Sequence, residues 1–455
     1  VNAVDLFAGA GGWSLGFANV AGRPPIVAVN HCAHAIRLHE LNHPETDHFH
    51  EDIRAVDPAK ACAGRRVDWL HLSPDCTHFS RAKGGKPRDQ GIRGLAWCGV
   101  DWAAKVRPTV LSLENVLEFT GWGPLDAAGH PIKARAGETF REFIAELASL
   151  GYRSEWRVLC AADFGAPTIR KRLFLIARCD GLPIRWPEPT HGPGRPLPWR
   201  AAAECIDWSI PCPSIFDRKK PLAPATCRRI AAGIVRYVLQ GKPFLVETAH
   251  GDFGERNGRR IRGLDEPMGN ATGSNNHALV GAFLAKHYGG VVGSELGAPV
   301  GTVTSTDHHS LVAASLVQMG YGEREGQAPR SLDLQQPLGT VVAGGAKHGL
   351  VAAFLTTYYQ QGGTANRLDV PMPAVVTRAR HGLVTVDIEG ETFVLADIGL
   401  RMLQPRELAR AQGFPDSYVL EGTKAEQIAR IGNSVVPQIA EAIVRANAGN
   451  LVRAA

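Results

Sequence analysis

From Val1 to about Arg178, short apolar runs alternate with longer stretches whose apolar residues recur at helical spacing. The runs are Val1 to Phe7, Ile26 to Asn30, Val67 to Leu72, Thr109 to Leu113, Trp156 to Leu159 and Leu173 to Ala177. Strands separated by helices predict a doubly wound α/β domain. Phe140, Phe143, Ile144, Leu147 and Leu150 share one face at a period of 3.6 and are followed by Gly151, which predicts a helix covering the sheet. Between Cys179 and Pro224 the chain turns rich in Pro, Trp and Arg, as in GLPIRWPEPTHGPGRPLPW. Proline without an amide hydrogen sustains neither helix nor ladder, so a lobe boundary is expected there.

From about Phe244 the pattern repeats. The copies PMGNATGSNNHALV, PVGTVTSTDHHSLV, PLGTVVAGGAKHGLV and PMPAVVTRARHGLV are anchored at His277, His309, His348 and His381. A period of this length belongs to repeat architectures, and the strand and turn residues in each copy predict a β-rich lobe of four related units, or five if FLVETAHGDFG belongs. Turn-capping is the expected role of the repeated histidines. After about Ala396 helical spacing returns in PRELARAQGF, KAEQIARIG and VPQIAEAIVRAN, a part expected to fold back on the first lobe. The expected division is 1–178, 179–396 and 397–455.

With 455 residues and 44% hydrophobic content the chain can bury a large core. Its longest apolar runs, such as Leu173 to Ala177 and Leu350 to Leu355, fall far short of the roughly 20 residues a bilayer span needs. No signal peptide is read at the start, so a cytoplasmic protein is expected. Nine cysteines without paired spacing argue against a disulfide framework and against zinc, and no metal is expected. Fifty Lys plus Arg against 44 Asp plus Glu give a formal charge of +6, which adds only weakly to the case for a phosphate-bearing partner.

Candidate chemistry sits at strand ends. The first strand runs into Asp5-Leu6-Phe7-Ala8-Gly9-Ala10-Gly11-Gly12, where glycines permit a tight turn and close approach of a nucleotide-like cofactor to a helix N-terminus. A dinucleotide-binding turn looks similar, but the acid expected about 20 residues on is missing, since the second strand ends at Asn30-His31. Ser73-Pro74-Asp75-Cys76-Thr77-His78-Phe79-Ser80 follows an apolar strand and sets Cys76 in a loop where open α/β sheets hold substrates. Glu114, in Leu113-Glu114-Asn115-Val116, ends another apolar strand at the same edge. A thiolate and a carboxyl converging there suit addition of Cys76 to C6 of a pyrimidine while Glu114 hydrogen-bonds or protonates N3, which raises electron density at C5 for methyl transfer.

These blocks resemble the C5-cytosine DNA methyltransferase family over most of the first lobe and the last part of the chain. DLFAGAGG, SPDCTHFS, the Glu-Asn-Val block, FGAPTIRKRLFLIA (Phe164 to Ala177), RMLQPRELARAQGFPD (Arg401 to Asp416) and GNSVVP (Gly432 to Pro437) stand in the family's order. The resemblance implies a Rossmann-like domain that binds S-adenosylmethionine through Phe7, Gly9, Gly11, Gly12, Asn30, Asp52, Ile53, Pro74, Asn433 and Val435. It implies a covalent adduct between Cys76 and a flipped-out cytosine, with Glu114, Arg170 and Arg172 completing the catalytic set. It further implies DNA modification of the restriction–modification kind, and that 179–396 is the target recognition region. Arg81, Lys83, Lys86 and Arg88, in a glycine-containing loop after Cys76, are expected to meet DNA phosphates, and the protein is expected to act as a monomer. This chain departs from the family pattern at Asp75, Thr77, Thr168 and His31. Two alternatives stay open on the residues: N4 methylation of cytosine, which needs no thiolate, and a DNA-binding protein with a decayed site.

Overall fold

The computed structural model describes residues 1–75, 79, 90–207, 209–210, 213, 215, 219–221 and 403–449, together with the strand segments between 244 and 402 named below. Its first sheet has seven strands: β1 (Ala3–Leu6), β2 (Val27–Val29), β3 (Asp47–Phe49), β4 (Trp69–Leu72), β5 (Val110–Asn115), β6 (Arg153–Cys160) and β7 (Lys171–Arg178). The order is β3-β2-β1-β4-β5-β7-β6. β1 pairs in parallel with β2 and β4, β2 with β3 and β4 with β5, whereas β7 runs antiparallel to both β5 and β6. The sheet is therefore mixed, and its strand order reverses between β1 and β4, the switch point outside which open α/β sheets take their ligands.

β1, β4 and β5 are buried along their whole length, as continuous apolar runs covered on both faces should be. Alternate residues feed two cores. Val4, Leu6, Leu70, Leu72, Leu111 and Leu113 pack on one face, while Ala3, Trp69, Val110, Phe174 and Ile176 pack on the other. Helices α1 (Gly12–Ala21), α2 (Ala33–Asn42), α3 (Pro58–Cys62), α4 (Gln90–Arg93), α5 (Trp97–Val106) and α6 (Glu138–Ser149) connect the strands. The predicted covering helix is α6; its buried Phe140 and Phe143 join Phe119 and Trp122 in an aromatic cluster. β3, whose sequence is Asp-His-Phe, carries too little apolar pattern to be read from the sequence.

Past the Pro-rich segment a second sheet contains nine strands: β8 (Phe244–Glu247), β9 (Ile261–Gly263), β10 (His277–Ala278), β11 (Ala282–Lys286), β12 (His309–Gln318), β13 (Ser331–Asp333), β14 (His348–Thr357), β15 (Thr385–Ile388) and β16 (Glu391–Met402). All its pairings are antiparallel. His277, His309 and His348 each open a strand, and in the pairing Lys286 lies opposite His309 and Gln318 opposite His348. His381 lies outside the described residues. β16 spans the expected boundary at 396–397.

The chain then forms α7 (Pro405–Ala411), α8 (Lys424–Asn433) and α9 (Pro437–Asn447). α7 and α8 each begin with a capping box, in which the N-cap side chain and a glutamate three residues on satisfy two otherwise free amides. α9 lies against α1 so closely that a Cβ on Gly16 would collide with the Pro437 carbonyl oxygen. At the far end of α9, Asn447 Nδ2 donates to Arg185 O at 2.7 Å, and Arg178 Nη1 donates to Asn447 O at 3.0 Å. No helix among the described residues is long and apolar enough to cross a membrane.

Candidate active site

The turn after β1 is shaped by its backbone. Phe7 has φ 66° and Gly11 φ 78°, and Gly9 N donates to Phe7 O at 2.6 Å. The left-handed state is strained for phenylalanine and free for glycine. Gly11 caps α1 without a side-chain hydrogen bond, so a ligand can take the helix's first amides. Above Gly9 there is room: an added Cβ would meet nothing nearer than Phe7 O at 3.9 Å. Gly12 has none, since its Cβ would strike Val435 O and Ser434 Oγ. The glycine thus brings Ser434 and Val435 against the turn; both are buried, while the neighbouring Asn433 is exposed.

The other expected cofactor residues end neighbouring strands. Asn30 follows β2, and its Oδ1 accepts the Cys32 amide at 2.8 Å, which leaves the Nδ2 donors unused by that contact. Asp52 is exposed and Ile53 buried just past β3. After β4, Pro74 O accepts from Asn115 Nδ2 at 3.1 Å, which ties the start of the loop after β4 to the end of β5. Cys76 itself lies outside the described residues, as do Arg81, Lys83, Lys86 and Arg88.

Glu114, next to the last residue of β5, is buried at 6% exposure. Because β7 is antiparallel to β5, the beginning of β7 lies beside the end of β5, and Arg172 Nε comes within 3.2 Å of Glu114 Oε1. Arg170 Nη2 stands 3.7 Å from the same oxygen, and Arg170 Nη1 donates to Gly432 O at 2.9 Å, reaching the segment that carries Asn433. One buried carboxylate therefore faces two guanidinium groups, an arrangement that needs both signs present to repay desolvation. Thr168, where the resemblance leads one to expect Gln, is fully buried.

Beneath the turn lies a polar chain that sequence reasoning missed. Ser14 Oγ donates to Asp5 Oδ2 at 2.7 Å; His39 Nε2, 2.9 Å from Ser14 Oγ, donates to it; and His39 Nδ1, 2.8 Å from His48 Nε2, accepts. Burial pushes the Asp5 carboxyl up to about 7, against the opposing Ser14 hydrogen bond. Burial also holds His39 well below the usual imidazole range, with the neighbouring His43 and His48 adding to the effect. His43 is lowered to about 4, again chiefly by burial. The four-residue spacing of His39 in α2 and His43 just past its end was the available signal, but their partners are far away in sequence. No group of three His, Cys, Asp or Glu residues suited to a metal ion occurs among the described residues.

Comparison with known proteins matches residues 1–195 and 356–448 to C-5 cytosine-specific DNA methylase. Type II methyltransferase M.AgeI of Thalassovita gelatinovora is 26% identical over 460 residues, covering 97% of each chain. Type II methyltransferase M.AquIA of Picosynechococcus is 30% identical over 204 residues, 42% of this chain and 77% of that one. Among solved structures, a Spodoptera frugiperda DNMT2 mutant aligns over 98% of this chain and 99% of its own, with 15% identity and a TM-score of 0.48.

Proposed function

Because the chain belongs to the C-5 cytosine-specific DNA methylase family and is a DNA cytosine-5 methyltransferase, we propose that it works through a Cys76 adduct, with S-adenosylmethionine as methyl donor bound at the turn after β1. The observation that carries this reading is the Glu114–Arg172–Arg170 cluster at the same sheet edge as Pro74, two residues before Cys76.

The cofactor fits the residues present. The space above Gly9 and the uncapped amides of α1 suit a ligand that approaches the backbone. Phe7, Gly9, Gly11, Gly12, Asn30, Asp52, Ile53, Pro74, Asn433 and Val435 would hold it. When bound, S-adenosylmethionine supplies a methyl group on a sulfonium.

In the reaction proposed, the Cys76 thiolate bonds to C6 of a cytosine turned out of the duplex. Glu114 hydrogen-bonds or protonates N3, which stabilises the electron pair that addition at C6 pushes into the ring, and C5 becomes the nucleophile that takes the methyl group. Loss of the C5 proton to a base then expels the Cys76 thiolate and restores the ring. Arg172 holds the cytosine O2, and Arg170 ties the site to Gly432. Residues 179–396, with their repeats, read DNA sequence, and Arg81, Lys83, Lys86 and Arg88 meet phosphates; side chains at base edges specify while phosphate contacts anchor.

The test is to incubate the protein with S-adenosylmethionine and DNA, digest to nucleosides and identify the methylated base by mass spectrometry. 5-Methylcytosine from wild type and none from Cys76→Ser supports the mechanism. Product that survives the substitution removes Cys76 from it, and N4-methylcytosine would point to direct attack by the amino nitrogen.

A further inference from the structure

The turn after β1 is braced by residues that belong neither to its strand nor to its helix. Tyr418, buried and 408 positions away, donates its hydroxyl to Ala10 O at 2.6 Å. His43 Nε2 lies 3.2 Å from the same hydroxyl. Since the hydroxyl proton is directed to Ala10, His43 supplies its Nε2 hydrogen to the phenol oxygen. Asn42, next to His43, accepts the Val419 amide through Oδ1 at 2.8 Å and donates through Nδ2 to Val419 O at 3.1 Å. The dipeptide Tyr418-Val419 is thereby pinned to the end of α2 with the hydroxyl aimed at the turn. Gly11 completes the fit: a Cβ there would meet Tyr418 Oη at 2.5 Å and His43 Nε2 at 2.9 Å.

A turn that holds Phe7 at positive φ does not keep its shape by local preference alone. Its Ala10–Gly11 peptide leads directly into the open amides of α1. We propose that Tyr418 is a positioning residue for the methyl-donor site: its hydroxyl fixes the Ala10 carbonyl and so holds the Ala10–Gly11 peptide and the first amides of α1 in binding geometry. This rests on the reading of Phe7 to Gly12 as the cofactor turn. Tyr418 touches neither substrate nor reacting atoms in this role; it acts through the backbone.

The experiment compares wild type, Tyr418→Phe and Asn42→Ala in the full chain by calorimetric binding of S-adenosylmethionine, by kcat and KM for both substrates, and by thermal melting. For Tyr418→Phe the Kd and KM for S-adenosylmethionine rise about ten-fold, the effect of one lost hydrogen bond. Its KM for DNA and its kcat at saturating cofactor stay within about two-fold of wild type, since uniform binding alone is lost. Asn42→Ala moves the cofactor KM in the same direction by a smaller factor. Unchanged cofactor affinity in Tyr418→Phe, or an equal rise in both KM values, overturns the proposal and leaves a merely structural tyrosine. Should Tyr418→Phe fail to fold, Asn42→Ala decides, and an unchanged cofactor KM there overturns it. Wild-type protein that binds no S-adenosylmethionine overturns the cofactor reading as well.

Discussion

The two oxygens of Asp5 meet different surroundings. Oδ2 accepts the Ser14 hydroxyl, while Oδ1 is buried with no hydrogen-bond partner among the described residues. With its folded pKa raised to about 7 from 3.8, Asp5 keeps a proton in the native state that the unfolded chain has released. Its contribution is full below the unfolded pKa and is lost as pH rises through about 7. His39 and His43 act oppositely: lowered in the fold, they contribute stability above the unfolded imidazole range that is lost as pH falls. Asp5→Asn removes only the first effect. In urea unfolding between pH 5 and 8, the variant should gain on wild type as pH rises, by at most about 1.4 kcal/mol per pH unit, and level off above about 7. A difference constant across this range would mean that Asp5 does not titrate there. At the proposed reaction edge, Glu114→Gln should lower kcat by about 100-fold or more, because the carboxyl that hydrogen-bonds or protonates N3 is lost. Calorimetry should find its cofactor affinity unaltered, and a fall there would relocate Glu114 to cofactor binding.

Among elements, packing sets the tightest limits where α1 meets the segment from Ser434 to Pro437. Gly12→Ala pushes a methyl group into a backbone carbonyl that has no rotamer by which to escape. We expect a loss of about 3 kcal/mol, read as a lower urea midpoint; a loss within error would require the α1–α9 contact to be far looser. At the other end of α9, Asn447 bonds Arg185 through both its amide groups, Oδ1 accepting the Arg185 amide at 3.0 Å. Asn447→Ala should cost about 2 kcal/mol, since the Arg185 backbone groups lose partners in a part-buried site. Such contacts mark the limit of what the sequence displays. Apolar runs reveal β1, β4 and β5, and the run Leu173 to Ala177 reveals β7 but not its direction, which depends on pairing with β5 and β6. β3 escapes notice because three residues, two of them polar, set up no alternation. At the proposed site, the glycine turn and Glu114 are legible as residue types at strand ends, while Cys76 lies outside the described residues. Tyr418 with Ala10 and His43 with Tyr418 are not, because each pair joins distant positions whose proximity only the fold creates.

For the molecule as a whole, a substrate as charged as DNA should dominate the response to ionic strength. Log affinity should fall linearly with log salt, and Lys83→Ala with Lys86→Ala should reduce the slope by about 2 if both side chains neutralise phosphates. Filter binding over a salt series checks this, and an unchanged slope would exclude that loop from the contact. The long-range bond from Tyr418 to Ala10 also bears on how the protein comes into being. At ribosomal speeds of about 5–20 residues per second, the 408 positions between these two residues take about 20–80 s to emerge. For that interval the N-terminal strands and α1 exist without α9, the Val435 carbonyl or the Tyr418 hydroxyl. A nascent chain therefore carries an unbraced turn until translation has passed Tyr418 and the Val435 carbonyl.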